Sequence, residues 1–359
     1  MTDSTLALNS YRLLGRSGLR VSPLALGTMT FGADWGWGAD EAEARRIFDA
    51  YVERGGNFID SANSYTGGSA ERLVGQFAEG KRDRLVISTK YSSATRQGDP
   101  NSGGNHRKSM VRSVEESLKR LRTDYIDLLY LHVWEGTTPI EEILRAMDDL
   151  VRQGKVLYLG LSDIPAWQAS RMQAVADLRG WAPLIALQSE YSLVERTPER
   201  DLIPMAKEMG LGVIPWSPLA NGVLTGKYSR ADLKGETGQS GLQGSRKNVA
   251  AAYGSLSERS LAITDVVASV ATETGHSAAK IALAWTLLNP GVASTMLGAR
   301  TQKQLQDNLG ALTVTFSDEH RARLDQVSAI ELGFPHDLLR KPMIVQSLTG
   351  GGALPTRTW

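Results

Sequence analysis

One feature constrains the fold more than any other. Short β-branched or Leu-rich runs are separated, eight times over, by longer stretches whose apolar residues recur at helical spacing. The strand-like runs are residues 23–27, 57–60, 85–90, 126–132, 156–162, 185–190, 212–216 and 292–297. The helical patterns are 40–54, 69–78, 108–121, 140–153, 166–178, 201–209, 264–289 with an interruption near Gly275, and 301–311. Eight strand–helix units over about 290 residues fit a closed α/β fold, the (β/α)8 TIM barrel. A small β-hairpin about the turn Gly15-Arg16-Ser17-Gly18 precedes it. The competing architecture, a doubly wound sheet, is disfavoured because no G-x-G-x-x-G fingerprint follows any strand.

Residues 1–359 are expected to form a single domain, with a barrel core at about 11–330. The tail from 331 to 359 carries Pro335, Pro342, Gly350 to Gly352 and Pro355; it reads as neither a domain nor a repeat, and as a segment that drapes over the barrel mouth or stays loose. Two polar stretches, 91–107 and 217–257, are too long for simple connections and read as long loops at the carboxyl-terminal rim. Within the second, 234–247 reads equally as a lid or as a surface insertion.

Charge and composition exclude several functions. Forty Lys and Arg balance 39 Asp and Glu, so no overall field draws the chain to nucleic acid or to an anionic membrane. There is no cysteine, which removes thiolate metal sites, disulfides and Cys nucleophiles. The five histidines show no metal-binding spacing, so no metal is expected. Residues 1–10 lack the regions of a signal peptide, and the longest apolar stretch is interrupted by Asp127 and His132; a cytoplasmic protein is expected. Residues 75–81 imitate a P-loop but end a helix, with Arg82 in place of Ser or Thr. Lys81-Arg82 and Arg340-Lys341 read as solvated charges.

In a parallel barrel the active site forms where strands end. Those ends carry Gly27-Thr28-Met29, Asp60 followed by Tyr65, Lys90, His132, Ser162-Asp163, Gln188 with Glu190, Trp216-Ser217, and Gly298 to Arg300. A lysine ammonium about 4 Å from a phenol is worth roughly 4 kcal/mol at an effective dielectric near 20, or about 3 pK units. Tyr65 is accordingly expected to titrate near 7, provided that Lys90 is close and charged, with Asp60 as its counter-charge. His132 is placed to orient an acceptor oxygen, which makes a general acid beside a carbonyl site. Taken alone, Asp60 and Lys90 read first as a buried ion pair tying two adjacent strands together, and Tyr65 and His132 at neighbouring strand ends shift the reading toward a site.

Several segments resemble the aldo-keto reductases, NADPH-dependent barrel enzymes, over about residues 11–312. They are Leu26-Gly27-Thr28-Met29, Asn57 through Asp60-Ser61-Ala62-Asn63-Ser64-Tyr65, Ser88-Thr89-Lys90, Asp127 through His132, Gly160-Leu161-Ser162-Asp163, Pro215-Trp216-Ser217-Pro218-Leu219, and Gly298-Ala299-Arg300 leading to Asn308. Asn105-His106-Arg107-Lys108-Ser109, Leu157-Tyr158-Leu159-Gly160 and Asp163-Ile164-Pro165-Ala166-Trp167 are most similar to the aryl-alcohol dehydrogenase branch.

The resemblance implies that Tyr65 is the general acid, that Lys90 lowers its pKa, that Asp60 holds Lys90 and that His132 positions the carbonyl. NADP(H) is the implied cofactor. Gly27, Thr28, Met29 and Asp60 would border it, and Ser162, Asp163 and Gln188 would hold its carboxamide. Trp216 would stack on the nicotinamide, while Ser217, Leu219, Gly222 and Lys227 would take the pyrophosphate. Gly298, Arg300, Gln304, Asp307 and Asn308 would take the 2′-phosphate and adenine. One Arg contact of roughly 1.5–3 kcal/mol gives about a 10- to 150-fold preference for NADP over NAD. Many members carry Asn where this chain has Asp163, which accepts from the carboxamide but cannot donate to it while ionised.

Trp35, Trp37, Tyr91 and Trp134 are expected to build an aromatic pocket for an aryl or bulky carbonyl. The implied partner is a small-molecule carbonyl or alcohol, and oligomeric state is left open. A second reading is a regulatory subunit that binds NADPH and turns over slowly, as the similar potassium-channel β subunits do.

Overall fold

The computed structural model describes residues 6–234 and 245–352. A two-stranded antiparallel ribbon, β1 (Arg12–Leu13) and β2 (Arg20–Val21), comes first. Eight parallel strands follow: β3 (Leu24–Gly27), β4 (Phe58–Asp60), β5 (Val86–Tyr91), β6 (Ile126–Leu131), β7 (Val156–Ser162), β8 (Leu184–Glu190), β9 (Gly212–Trp216) and β10 (Thr295–Gly298). β10 pairs with β3, and the rest follow in chain order to β9. Val213 closes the ring by donating to Gly291 O at 3.0 Å and accepting from Ala293 N at 2.9 Å. The fold is the expected (β/α)8 barrel with its amino-terminal hairpin.

Helices α1 (Glu41–Glu53), α2 (Ser69–Phe77), α3 (Arg107–Leu121), α4 (Ile140–Arg152), α5 (Ala166–Arg179) and α6 (Leu202–Met209) alternate with strands β3 to β9. Each sets an apolar stripe against the outside of the barrel. Side chains cap two of them: Asp40 accepts from Glu43 N at 2.8 Å at the start of α1, and His106 accepts from Ser109 N at 3.2 Å at the start of α3. Beyond β9 come α7 (Arg246–Ala252), α8 (Glu258–Thr274), α9 (Ala278–Thr286), α10 (Gln302–Leu309) and α11 (Asp318–Val327). Gly275, at φ +71°, ends α8, and the Ser277 side chain caps α9, which is the expected interruption. The long stretch after β9 contains α7, which was not anticipated. The part of the 234–247 expectation at 235–244 lies outside the described residues. Among its described residues the tail holds two short helices, α12 (His336–Leu339) and α13 (Pro342–Thr349), with His336 Nε2 3.1 Å from Asp201.

The barrel interior is a separate apolar core in which Leu14 and Val21 of the ribbon meet Ala25, Phe58, Leu128 and Ile214. The ribbon thereby plugs the amino end and leaves the carboxyl end open for a site. Gly15 makes this plug possible, since a Cβ there would come within 2.2 Å of Ile185 O.

Arg82 corrects an expectation. Its guanidinium is built in, 2.6 Å from Asp127, donating to Tyr125 O at 2.9 Å and lying 3.9 Å over the Tyr125 ring. It sits on the turn Arg82–Arg84 entering β5, where it faces the start of β6. Lys81 pairs with Asp49 at 2.8 Å.

Candidate active site

Strand alternation puts Ser88 and Lys90 of β5 on the inner face beside Asp60, the last residue of β4. Lys90 Nζ lies 2.5 Å from Asp60 Oδ2 and donates to Ser61 O at 2.7 Å, and both side chains are fully buried. Asp60 Oδ1 also accepts from Ser88 Oγ at 2.7 Å and from Gln188 Nε2 at 3.1 Å. Tyr65 opens the short helical segment Tyr65–Gly68, whose Thr66 takes φ +46° and anchors it by donating to Phe31 O at 2.8 Å. The Tyr65 ring centroid is 4.9 Å from Lys90 Nζ and 6.0 Å from the His132 ring, edge to face.

The electrostatics differ from expectation at Tyr65. Burial is the largest influence and lifts the phenol; Lys90 pulls it down, Asp60 raises it again, and the result lies above the ordinary 10 rather than near 7. Lys90 is close and paired with Asp60 as expected, but the desolvation of the phenolate exceeds its pull. Burial works against the Lys90 charge, but Asp60 and Tyr65 outweigh it and its pKa is raised. Burial, then Lys90, push His132 down to about 3, so its imidazole is neutral. Asp163, at φ +42°, accepts from Trp216 Nε1 at 3.0 Å, and burial pushes its carboxyl up to about 6.

A cleft of about 880 Å³ runs across the carboxyl ends of the strands. Tyr65, His132 and Trp35 line one end; Gly27, Met29, Ser162, Asp163, Gln188, Trp216 and Ser217 line the middle. Leu219, Gly222, Lys227, Gly298, Arg300, Gln304, Asp307 and Asn308 line the remainder. Asp60 and Lys90 lie beneath its floor, as does Thr28, whose hydroxyl donates to Asp60 O at 2.9 Å.

Three aromatic expectations fall outside this lining. Tyr91 is fully buried in the layer between strands and helices, its hydroxyl donating to Asn105 O at 3.3 Å. With Lys90 inward, alternation sends Tyr91 outward. Trp37 is buried against Trp35 at 5.8 Å, and Trp134 packs partly buried on the outer core. Tyr253, at the end of α7, was missed; it lines the cleft with its ring 6.0 Å from Trp216, and nothing in the polar stretch after β9 signalled it.

The middle of the cleft suits a carboxamide. Ser162 Oγ is buried without a hydrogen-bond partner beside Asp163, and an orphaned buried hydroxyl carries a cost of about 1–3 kcal/mol until a ligand meets it. At Gly222, φ +92°, a Cβ would come within 2.7 Å of Lys227 Nζ, so the ammonium lies directly over bare backbone. Arg300 and Lys303 add cationic groups to the lining, which fits a phosphate-bearing nucleotide.

Perturbed ionisable groups gathered at strand carboxyl ends mark a candidate active site on a barrel. The family model described as "Aldo/keto reductase family" matches residues 23–329. Norsolorinic acid reductase of Aspergillus flavus is 37% identical over 343 residues, covering 92% of this chain and 84% of that protein. The oxidoreductase YrpG of Bacillus subtilis is 37% identical, covering 88% and 95%, and aryl-alcohol dehydrogenase GME11368 of Pestalotiopsis microspora is 34% identical, covering 92% and 85%. The chain belongs to the aldo/keto reductase family and is an oxidoreductase. No helix among the described residues is long and apolar enough to cross a membrane.

Proposed function

We propose that the protein is an NADP(H)-dependent reductase of aryl or otherwise bulky aldehydes and ketones, with Tyr65 as general acid. The observation that carries this reading is the fully buried Asp60–Lys90 pair set under the Tyr65 ring at the floor of the long cleft. When bound, the nicotinamide supplies the hydride. Ser162 and Gln188 would hold its carboxamide, and Trp216, fixed by Asp163, would form its platform. Lys227 would meet the pyrophosphate; Arg300, Gln304, Asp307 and Asn308 would meet the adenosine end, with Lys303 beside them.

A phenol whose pKa stays above 10 is protonated throughout the neutral range, so Tyr65 enters the reduction carrying the proton it gives to the nascent alkoxide. Lys90 stabilises the phenolate left behind, and Asp60 keeps Lys90 charged inside the barrel. His132, neutral, has one N–H with which to orient the carbonyl oxygen. Trp35, edge-on to Tyr65 at 6.4 Å, and Tyr253 bound the opening with aromatic surface, which favours a planar apolar substrate. That the relatives include proteins named for norsolorinic acid and aryl alcohols agrees with this choice.

Titration of NADPH fluorescence, alone and then with aryl aldehydes, aliphatic aldehydes and ketosteroids, tests the reading. Saturable binding with rapid oxidation on aryl carbonyls is expected. Binding without turnover would replace it with the regulatory reading, and absence of binding would overturn the cofactor site.

A further inference from the structure

Asn105 opens a distinctive motif that the proposed reduction leaves unused, yet it is fully buried beside the catalytic groups. We propose that Asn105 is a positioning residue for His132: it clamps the loop after β5 to the loop after β6, so that the Ser93 hydroxyl donates to His132 Nδ1 and the ring N–H is left on Nε2 for the carbonyl oxygen. The inference rests on the reading of His132 given above.

The clamp is made of named bonds. Asn105 Nδ2 donates to Ser92 Oγ at 3.0 Å and to Val133 O at 2.9 Å, while its Oδ1 accepts from Glu135 N at 3.0 Å. The Asn105 N–H donates to Glu135 Oε2 at 2.9 Å. The other Glu135 oxygen accepts from Thr138 N at 3.1 Å and from the Thr138 hydroxyl. Burial raises the Glu135 carboxyl, but the hydrogen bonds from Thr138 and Asn105 outweigh it and hold the group below its ordinary value. The two loops are thus joined through a charged, fully engaged acceptor, and such a network fixes geometry because any broken bond strands a buried polar group.

The clamp bears on His132 through Ser92 and Ser93. Ser92 takes φ +106°, a conformation that side chains rarely adopt and that costs of order 1–3 kcal/mol. Ser92 is held there from three sides: its hydroxyl accepts from Asn105 and from His132 N at 3.2 Å, and its carbonyl accepts from Gly104 N at 2.8 Å. The bend delivers Ser93, whose Oγ lies 3.4 Å from His132 Nδ1. Nδ1 is the side-chain atom that meets this hydroxyl in the structure, and which of the two donates follows from the imidazole tautomer that the proposal assigns. A neutral imidazole has one N–H, so occupying Nδ1 as an acceptor places that proton on Nε2. His132 lines the cleft, which is where a carbonyl would meet it.

Ring-nitrogen NMR of 15N-histidine-labelled protein, read together with steady-state kinetics, tests the proposal on the wild type, Ser93→Ala and Asn105→Asp. The last keeps the side chain's shape and removes both Nδ2 donors. The wild type is expected to show His132 as the neutral Nε2–H tautomer. Both variants are expected to mix the tautomers and to lower kcat about five- to tenfold, the loss of one hydrogen bond, with the Kd for NADPH within about twofold. A wild-type Nδ1–H tautomer, or variants that lose kcat while keeping the wild-type tautomer, overturns the proposal. Should Asn105→Asp fail to fold, Ser92→Ala takes its place, since it removes the oxygen that accepts from both Asn105 Nδ2 and His132 N, and an unchanged tautomer there overturns the Asn105 clamp. Because the tautomer is read without substrate, failure of the wild type to oxidise NADPH refutes the functional reading and leaves this arm separately measurable.

Discussion

Glu190 gives the sharpest physical prediction. It ends β8, two residues beyond Gln188 and on the same strand face, and no hydrogen bond or ion pair among the described residues engages its carboxylate. Burial, then the like charges of Glu195 and Asp163, push its pKa from 4.5 to about 7. Between those two values the folded protein binds more protons than the unfolded chain, so stability falls as pH rises through the window. The penalty is absent below about 4.5 and complete above about 7. A shift of that size corresponds to about 3 kcal/mol, and partial exposure of the site trims it to about 2 kcal/mol. Glu190→Gln keeps the shape and cannot ionise. Urea unfolding of the two proteins at pH 5 and pH 8.5 should give a stability gap that opens toward alkaline pH, with the variant the more stable by about 2 kcal/mol and unchanged m-values. A gap that is constant with pH, or that favours the wild type at pH 8.5, would refute the reasoning.

Two further changes probe the frame beneath the site. At Gly160 of β7 a Cβ would come within 2.5 Å of the Tyr130 ring inside the barrel, so Gly160→Ala should lower stability by about 1–3 kcal/mol, measured by denaturant melting, and adding Tyr130→Leu should restore most of it. Arg82→Ala strands Asp127 at the amino end of the barrel; a loss of about 2–4 kcal/mol is expected, with kcat unchanged because the cleft lies at the opposite end.

The barrel was legible because parallel strands covered on both faces read as short continuous apolar runs, and all eight lie within three residues of where the pattern puts them. The groups proposed as catalytic were placed for a related reason: Asp60 ends a strand and Lys90 stands near the end of one, where an apolar run gives way to charge. Tyr91 and Arg82 were misplaced for opposite reasons. Alternation around Lys90 already turned Tyr91 away from the cleft, whereas Arg82 is placed by Asp127, 45 positions along the chain, and no local pattern carries that. Helix α11 escaped because Leu324 is its one buried side chain, too little for an apolar period, although Ser317 followed by two acidic residues marks its start. The titration of Tyr65 was misjudged because the charge of Lys90 can be inferred from sequence while the depth of burial cannot.

Single-turnover hydride transfer by Tyr65→Phe, with the Kd for NADPH measured on the same preparation, tests the central claim most directly. The account predicts a rate about 10²- to 10⁴-fold below wild type, the usual worth of a general acid, with cofactor affinity within about twofold. An undiminished rate would contradict it, for the proton would then come from somewhere other than the phenol above Lys90.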